Sequence, residues 1–325
     1  GFPTSAIFTF HEFVAPLLRR LAAVEQETAA EVPAVSPLRL NSVPGRTEYV
    51  LVDLVAGPAG PAAYPLGAGS GSVTALSRAD GFVRIPASTE YIDAGDRVAV
   101  RLLHREVRPA DLVAIGSHCV GLEFLLGLLA EQGHLVKSIA VGSTAGLAAL
   151  ARGEGDIAGI HLLDEATGEY NRPFLPEGVG LIPGYGRRQG VAFRPGDPVL
   201  DVPDLAAFLA AVRRGGARMV NRNPGSGTRV LLDRLLEGRR PEGYHNQPRS
   251  HHAVAAAIAQ GQADWGITLD VIAAAAGLGF LFVQEERFDL AVPDARRSRP
   301  AVEALADLLS GPAVRARLTE MGFTP

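Results

Sequence analysis

SIAVGSTAGLAALARGEGDIAGIHLL, residues 138–163, decides the fold class. SIAV (138–141) reads as a short buried strand. Gly142-Ser143-Thr144 then opens a helix, and IAGIHLL (157–163) reads as the next strand. The same alternation appears upstream, where LVAI (112–115) runs into Gly116-Ser117 and a helix. Downstream it continues through GVAF (190–193), ARMV (217–220), ADWGI (263–267) and FLFV (280–283). Strand followed by helix, repeated, predicts a mostly parallel α/β sheet with ligands outside the carboxyl ends of the strands.

Three of these strand-to-helix junctions share one chemistry. They are Gly116-Ser117, Gly142-Ser143-Thr144 and, within NRNPGSGTRVLLDRLL (221–236), Gly225-Ser226-Gly227-Thr228. Each offers main-chain N–H groups and a hydroxyl at the positive end of a helix dipole. Arg222 and Arg229 flank the third. Converging, the three form a donor-rich cavity for a small oxyanion; apart, each is an ordinary N-cap. A fully ionised anion needs only donors there, whereas a protonated one needs an acceptor as well. The residues argue against a phosphate-cradling P-loop, because Thr228 and Arg229 stand where a lysine belongs. The chain has a single lysine, Lys137, in an unrelated setting, which also argues against a Schiff-base enzyme.

Outside this segment the pattern changes. Residues 5–22 carry Ala6, Ile7, Phe10, Phe13, Val14, Leu17, Leu18 and Leu21 at helical spacing, with Pro3 and Thr4 at the start. Residues 25–37 read as a connector. Residues 38–105 hold short alternating or apolar runs between Gly/Pro-rich loops, the pattern of a small β-barrel or sandwich. A length of 325 residues predicts two or three domains, and 47% hydrophobic content supplies their cores. A net charge of −4 without a basic run argues against nucleic acid as a partner. One cysteine, Cys119, excludes an intrachain disulfide framework, and no apolar run is long enough to cross a bilayer. A chain starting at Gly1 reads as an excised or processed fragment, and the expected location is cytoplasmic, with no membrane partner.

Other candidates carry less. His251 and His252 are adjacent and diverge on a helix, so they make a poor metal pair. His161 ends an apolar strand and reads first as a rim or core histidine, second as a ligand contact. His118 and Cys119 read as small or polar residues starting a helix, and Asp164, Glu165 and Glu169 as solvated loop charges. No CxxC, HExxH or GxSxG occurs, so neither zinc nor serine-hydrolase chemistry has a motif. No catalytic residue, metal site or tightly bound cofactor is expected in this chain.

Two stretches resemble known families. Gly1-Phe2-Pro3-Thr4-Ser5-Ala6, the helix to Leu21 and GAGSGSVTALSRADGFVRIP (67–86) resemble the C-terminal part of MoeA-type molybdopterin molybdenumtransferases. That resemblance implies the end of a catalytic domain over 1–37 and the family's C-terminal β-barrel over 38–106. It also implies that the catalytic domains are partners absent from this chain, that the assembly is a homodimer, and that the intact enzyme uses Mg and molybdopterin. This chain alone is expected to be non-catalytic. IGSHCVGLEFLLGLLAE, GSTAGLAALARGEGDIAGIHLLDEATGEYN, NRNPGSGTRVLLDRLL and HHAVAAAIAQGQADWGI resemble a periplasmic-binding-protein-like domain of type 2, akin to LysR substrate domains. This implies a two-lobed α/β domain over 109–325. One lobe would hold 109–185 and 290–325, the other 186–289, with crossings at 184–189 and 284–288. The ligand is then expected to be molybdate or tungstate, supplied to or sensed for cofactor assembly. Ser117, Ser143, Thr144, Ser226, Gly227 and Thr228 are the expected donors, Arg222 sets the local field, and Tyr170 and Asn171 are rim contacts. The competing readings are a molybdopterin or nucleotide phosphate held as part of the transferase, and a small organic effector of a regulatory module.

Overall fold

The computed structural model describes residues 3–24, 30–66, 73–104, 107, 109–164, 166–198, 200–223, 226–248 and 250–325. Gly1-Phe2, part of the connector, the Gly/Ser-rich stretch 67–72, Glu165 and Pro224-Gly225 lie outside the described residues. The chain divides into two compact units. The first comprises 1–114, 134–139 and 148–156; the second 115–133, 140–147 and 157–325.

The first unit opens with α1 (Pro3–Thr9), a π-helical turn (Phe10–Val14) and α2 (Ala15–Leu21). Phe8 is buried against Tyr49 and Phe82, with ring centroids 5.0 Å away in each case. Glu12 takes an ion pair from Arg101 at 2.8 Å. The remaining apolar positions of this helical stretch, Phe10, Phe13, Val14, Leu17, Leu18 and Leu21, are exposed. Then follow β1 (Glu31–Val35), β2 (Leu40–Asn41), β3 (Glu48–Gly57), β4 (Gly60–Pro65), α3 (Val73–Arg78), β5 (Gly81–Ile85), β6 (Tyr91–Ile92) and β7 (Arg97–Leu102). Five of these strands close a barrel in the order β1-β4-β3-β5-β7. Alternation fills it: Val98 and Val100 point inward on β7 and join Val52, Leu54, Val83 and Ile85.

The barrel begins at Glu31, inside the stretch read as connector. Pro33 signals a break there, yet it pairs in register with Ala99. Strand β1 meets β4 through one pair only, Val35 with Ala62, so the missing N–H of Pro33 costs little ladder on that side.

The α/β segment contributes β8 (Leu112–Gly116), α4 (Val120–Glu131), β9 (Val136–Ala140), α5 (Ser143–Ala151), β10 (Ala158–Ile160) and β11 (Val179–Phe193). It continues with α6 (Leu205–Arg214), β12 (Met219–Val220), α7 (Gly227–Leu236), α8 (His251–Ala259), β13 (Trp265–Leu269), α9 (Asp270–Ala275), β14 (Gly279–Pro293), α10 (Pro300–Ser310) and α11 (Pro312–Glu320). Five strands form a sheet in the order β10-β14-β11-β13-β12. The mostly parallel pairing expected from the strand–helix alternation does not hold for this sheet. Only β12 with β13 is parallel; the ladders of β14 with β10 and of β11 with β14 and β13 are antiparallel. GVAF and FLFV are the ends of two strands of 15 residues each, which pair antiparallel along their length and insert themselves between the short strands.

Both faces of the sheet are covered. Val191 and Phe193 on β11 point to one side, joining Phe208 and Val212 of α6, Leu231 and Leu232 of α7, and Trp265. Ala192 points to the other, against Val254 and Ile258 of α8. Burying each large side chain stabilises by roughly 1.5–3 kcal/mol. A Cβ on Gly266 would meet Val220 and Val254 at 2.8–2.9 Å, so the close approach of α8 to the sheet requires glycine there.

Candidate anion site

The helix starts are built by close packing of small residues. Gly116 and Gly146 let α5 sit against β8: a Cβ on Gly116 would lie 2.7 Å from the Gly159 carbonyl oxygen, and one on Gly146 2.5 Å from that of Ile115. Gly142, at φ 91, turns the chain into α5, and the main-chain N–H groups of Val141 and Gly142 bond the Gly116 carbonyl. This brings the Ser117 and Ser143 hydroxyls to 2.9 Å, both buried, and Ser143 Oγ accepts the His161 N–H at 3.1 Å. A Cβ on Gly227, at the start of α7, would lie 3.5 Å from the His161 carbonyl oxygen and 3.7 Å from Glu286 Oε1. Two of the three junctions therefore meet at His161.

The predicted donors differ in what they do. Thr228 is fully buried and its Oγ1 accepts from Gln189 Nε2 at 3.2 Å. Ser226 is an N-cap: Oγ accepts the Arg229 N–H at 3.2 Å and donates to the Asn223 carbonyl at 3.0 Å. Thr144 is exposed in the first turn of α5. Arg222 is buried, and its main-chain N–H is held by Asn221 Oδ1 at 2.8 Å. Tyr170 Oη donates to the Glu285 carbonyl at 3.0 Å. Asn171, fully buried at φ 66, accepts the Leu162 N–H and donates to Asp289 and to the Arg287 carbonyl, so it ties the loop to β14. His118 pairs with Glu123 on the exposed start of α4.

Beside these stands a charged group that the sequence reading did not select. Arg187 on β11 lies directly opposite Glu286 on β14. Their side chains, 1% and 3% exposed, form an ion pair through Nη2 and Oε2. Glu286 Oε1 bonds His161 Nδ1. Burial alone would raise the Glu286 carboxyl, but the Arg187 charge and His161 hold it well below the usual carboxylate range. Burial likewise depresses Arg187, but the Glu286 charge outweighs it and leaves the guanidinium above its ordinary value.

Burial pushes Arg222 down to about 10, partly offset by Glu286 and reinforced by Arg187; it remains charged at neutral pH. Burial lowers His161, and the attraction of Glu286 does not fully restore it. His251, the first residue of α8, falls well below the ordinary histidine value through burial and the repulsion of Arg222 and Arg187. Its Nδ1 and Gln189 Oε1 have no hydrogen-bond partner among the described residues. With both imidazoles neutral, the cluster holds the guanidiniums of Arg187 and Arg222 near the Glu286 carboxylate. Buried guanidiniums close to the start of α7 suit an anion. No group of three or more His, Cys, Asp or Glu residues is placed to hold a metal among the described residues.

The fold and this site define an α/β binding domain with a buried anion-compatible centre, joined in sequence to a small β-barrel. The family model for the PBP superfamily domain matches residues 127–310, more than half of the chain, and the chain belongs to that superfamily. The model for the MoeA C-terminal region (domain IV) matches residues 33–103, so the chain joins the two domain types. A curated relative, "Uncharacterized protein YvgK" of Bacillus subtilis (strain 168), is 30% identical over 192 residues; the match covers 55% of this chain and 59% of that protein. The tungstate ABC transporter structure from Geobacter sulfurreducens aligns with TM-score 0.47 and 16% identity over 64% of this chain and 97% of that one. An ABC-type phosphate transport receptor from Vibrio cholerae aligns with TM-score 0.45 and 15% identity, over 66% and 99%. The molybdopterin biosynthesis MoeA protein from Pyrococcus horikosii aligns with TM-score 0.27 and 36% identity, over 33% and 25%. Scores at this level place no ligand or activity on the chain. Among the described residues no helix is long and apolar enough to cross a membrane.

Proposed function

We propose that residues 109–325 form a clamp for a small oxyanion, molybdate or tungstate, which it supplies to or senses for molybdenum cofactor assembly in the cytoplasm. The observation that carries this reading is the buried Arg187–Glu286 pair with Arg222 nearby, placed where the Ser143 junction and the start of α7 meet at His161. An anion entering this centre meets buried guanidiniums in surroundings that screen weakly, so the attraction is strong. The start of α7 and the Ser117–Ser143 pair add neutral donors to the same centre. The match to the MoeA C-terminal region supports molybdate or tungstate as the ligand, and this reading assigns the catalytic partner domains to segments other than residues 1–325.

In this reading the two lobes are 109–185 with 290–325 and 186–289, and β11 and β14 are the crossings. The arginines and the α7 start then engage the anion fully only when the lobes close. Calorimetric titration with molybdate, tungstate, sulfate and phosphate at equal ionic strength tests it. Tight binding of the first two supports the assignment; heat from none of the four overturns it.

A further inference from the structure

We propose that the side-chain amide of Gln189, pivoting on Thr228, lets the cleft accept an oxyanion in either protonation state; this rests on the oxyanion reading above. Gln189 lies on β11 two residues from Arg187, hence on the same face of the strand, and its relative exposure is 0%. Nε2 donates to Thr228 Oγ1 at 3.2 Å, while Oε1 has no partner among the described residues. A buried amide oxygen left unpaired is costly, and a ligand hydroxyl at this position removes that cost.

The other groups of the site do not read a proton. The guanidiniums of Arg187 and Arg222 and the main-chain N–H groups of α7 only donate. Glu286 accepts, but each of its oxygens already holds a partner, His161 on Oε1 and Arg187 on Oε2. His251 carries an unpartnered Nδ1, yet a neutral imidazole donates or accepts according to its tautomer and so favours neither class. Gln189 therefore offers a protonated ligand a buried acceptor that holds no partner among the described residues.

Thr228 makes that acceptor exchangeable. A hydroxyl both donates and accepts, so half a turn of the amide keeps the Gln189–Thr228 bond, with Thr228 now donating to Oε1, and brings Nε2 to the cleft. With Oε1 inward the cleft takes a monoprotonated anion such as hydrogenphosphate. With Nε2 inward it takes a fully ionised one such as molybdate or sulfate. The wild-type site admits both classes, and the amide orientation follows the ligand.

Gln189→Glu removes the choice, since both arms then only accept. The expected result is a loss of about tenfold or more in molybdate and sulfate affinity at pH 7.5, with hydrogenphosphate changed by less than about threefold. Equal losses for both classes would mean a merely structural role and overturn the proposal. A variant that folds poorly leaves a second readout on the wild-type chain, the NMR signals of the Gln189 side-chain NH2. They are expected to move in opposite senses on adding molybdate and phosphate; identical shifts, or none, overturn the proposal. Wild-type protein that binds none of these anions overturns the oxyanion reading itself, which is a different outcome from binding without discrimination.

Discussion

Each unit of the molecule buries a cluster of charged side chains, and burial acts on a carboxylate in one and on a guanidinium in the other. In the first unit Asp53 and Asp80 share their surroundings with Lys137. Asp80 Oδ2 accepts the Leu54 N–H at 2.7 Å and the ammonium of Lys137, whose Nζ also donates to the Leu54 carbonyl at 2.8 Å. Burial, then the charge of Asp80, raise Asp53 to about 6 against the pull of Lys137 and Arg78. In the second unit Arg187 and Arg222 are buried near Glu286. A buried carboxylate can take up a proton, which is available everywhere. A guanidinium does not give up its proton at neutral pH. In the proposed reading an anion meets that lasting charge, and this sets the two clusters apart.

The contrast breaks most visibly at Glu286. Glu286→Gln leaves two buried guanidiniums facing a neutral amide and is expected to destabilise the second unit by about 3–5 kcal/mol. Denaturant unfolding followed by the fluorescence of the single tryptophan, Trp265, which is buried in that unit, measures it. Saturating oxyanion should recover part of the loss. Arg222→Ala is the converse: it removes a buried charge that the proposed ligand needs. Affinity for molybdate should weaken by about 1.5–3 kcal/mol with little loss of stability, read by calorimetry and thermal melting together.

Asp53→Asn sharpens the other side. Relief of a carboxyl displaced from 3.8 to about 6 should stabilise the protein by about 1–3 kcal/mol at pH 8, and the gain should vanish by pH 4. Calorimetric melting at the two pH values decides; an equal gain at both would assign the effect to packing.

The smallest expected effect is the pair of opposite slopes between pH 7.5 and 5.5. The histidines are lower in the folded state than their ordinary 6.5, so the unfolded chain takes up protons first and the second unit loses stability as pH falls through 6.5. Asp53 is higher in the folded state, so the first unit gains stability as pH falls through about 6. The Asp53 slope should amount to about 1 kcal/mol across the window, and Trp265 fluorescence alone should report the loss in the second unit.

Two of the three helix starts were legible in the sequence: α5 opens at Ser143 and α7 at Gly227, whereas Gly116 ends a strand and α4 begins only at Val120, after Ser117. The barrel was legible through alternation, apart from β1, where Pro33 masked a strand. The charged centre was not. Arg187 and Glu286 are 99 residues apart and meet only through the register of two long strands. Arg187 and Arg188 look equivalent in GRRQ, yet the pleat buries one to 1% and leaves the other half exposed. Ser226 shows the converse: its type and position matched a ligand donor, and its hydroxyl closes its own helix.

One further property follows from Lys137. Every other basic side chain of this protein is an arginine or a histidine, and the one lysine is largely enclosed between Asp80 and the Leu54 carbonyl. Its side-chain amine is therefore a solitary, shielded target for acylating reagents and for lysine-directed proteases. The rate at which such a reagent modifies Lys137, counted as a single mass increment, is a clock for the local opening of the first unit, with no competing side-chain amine to confuse the count.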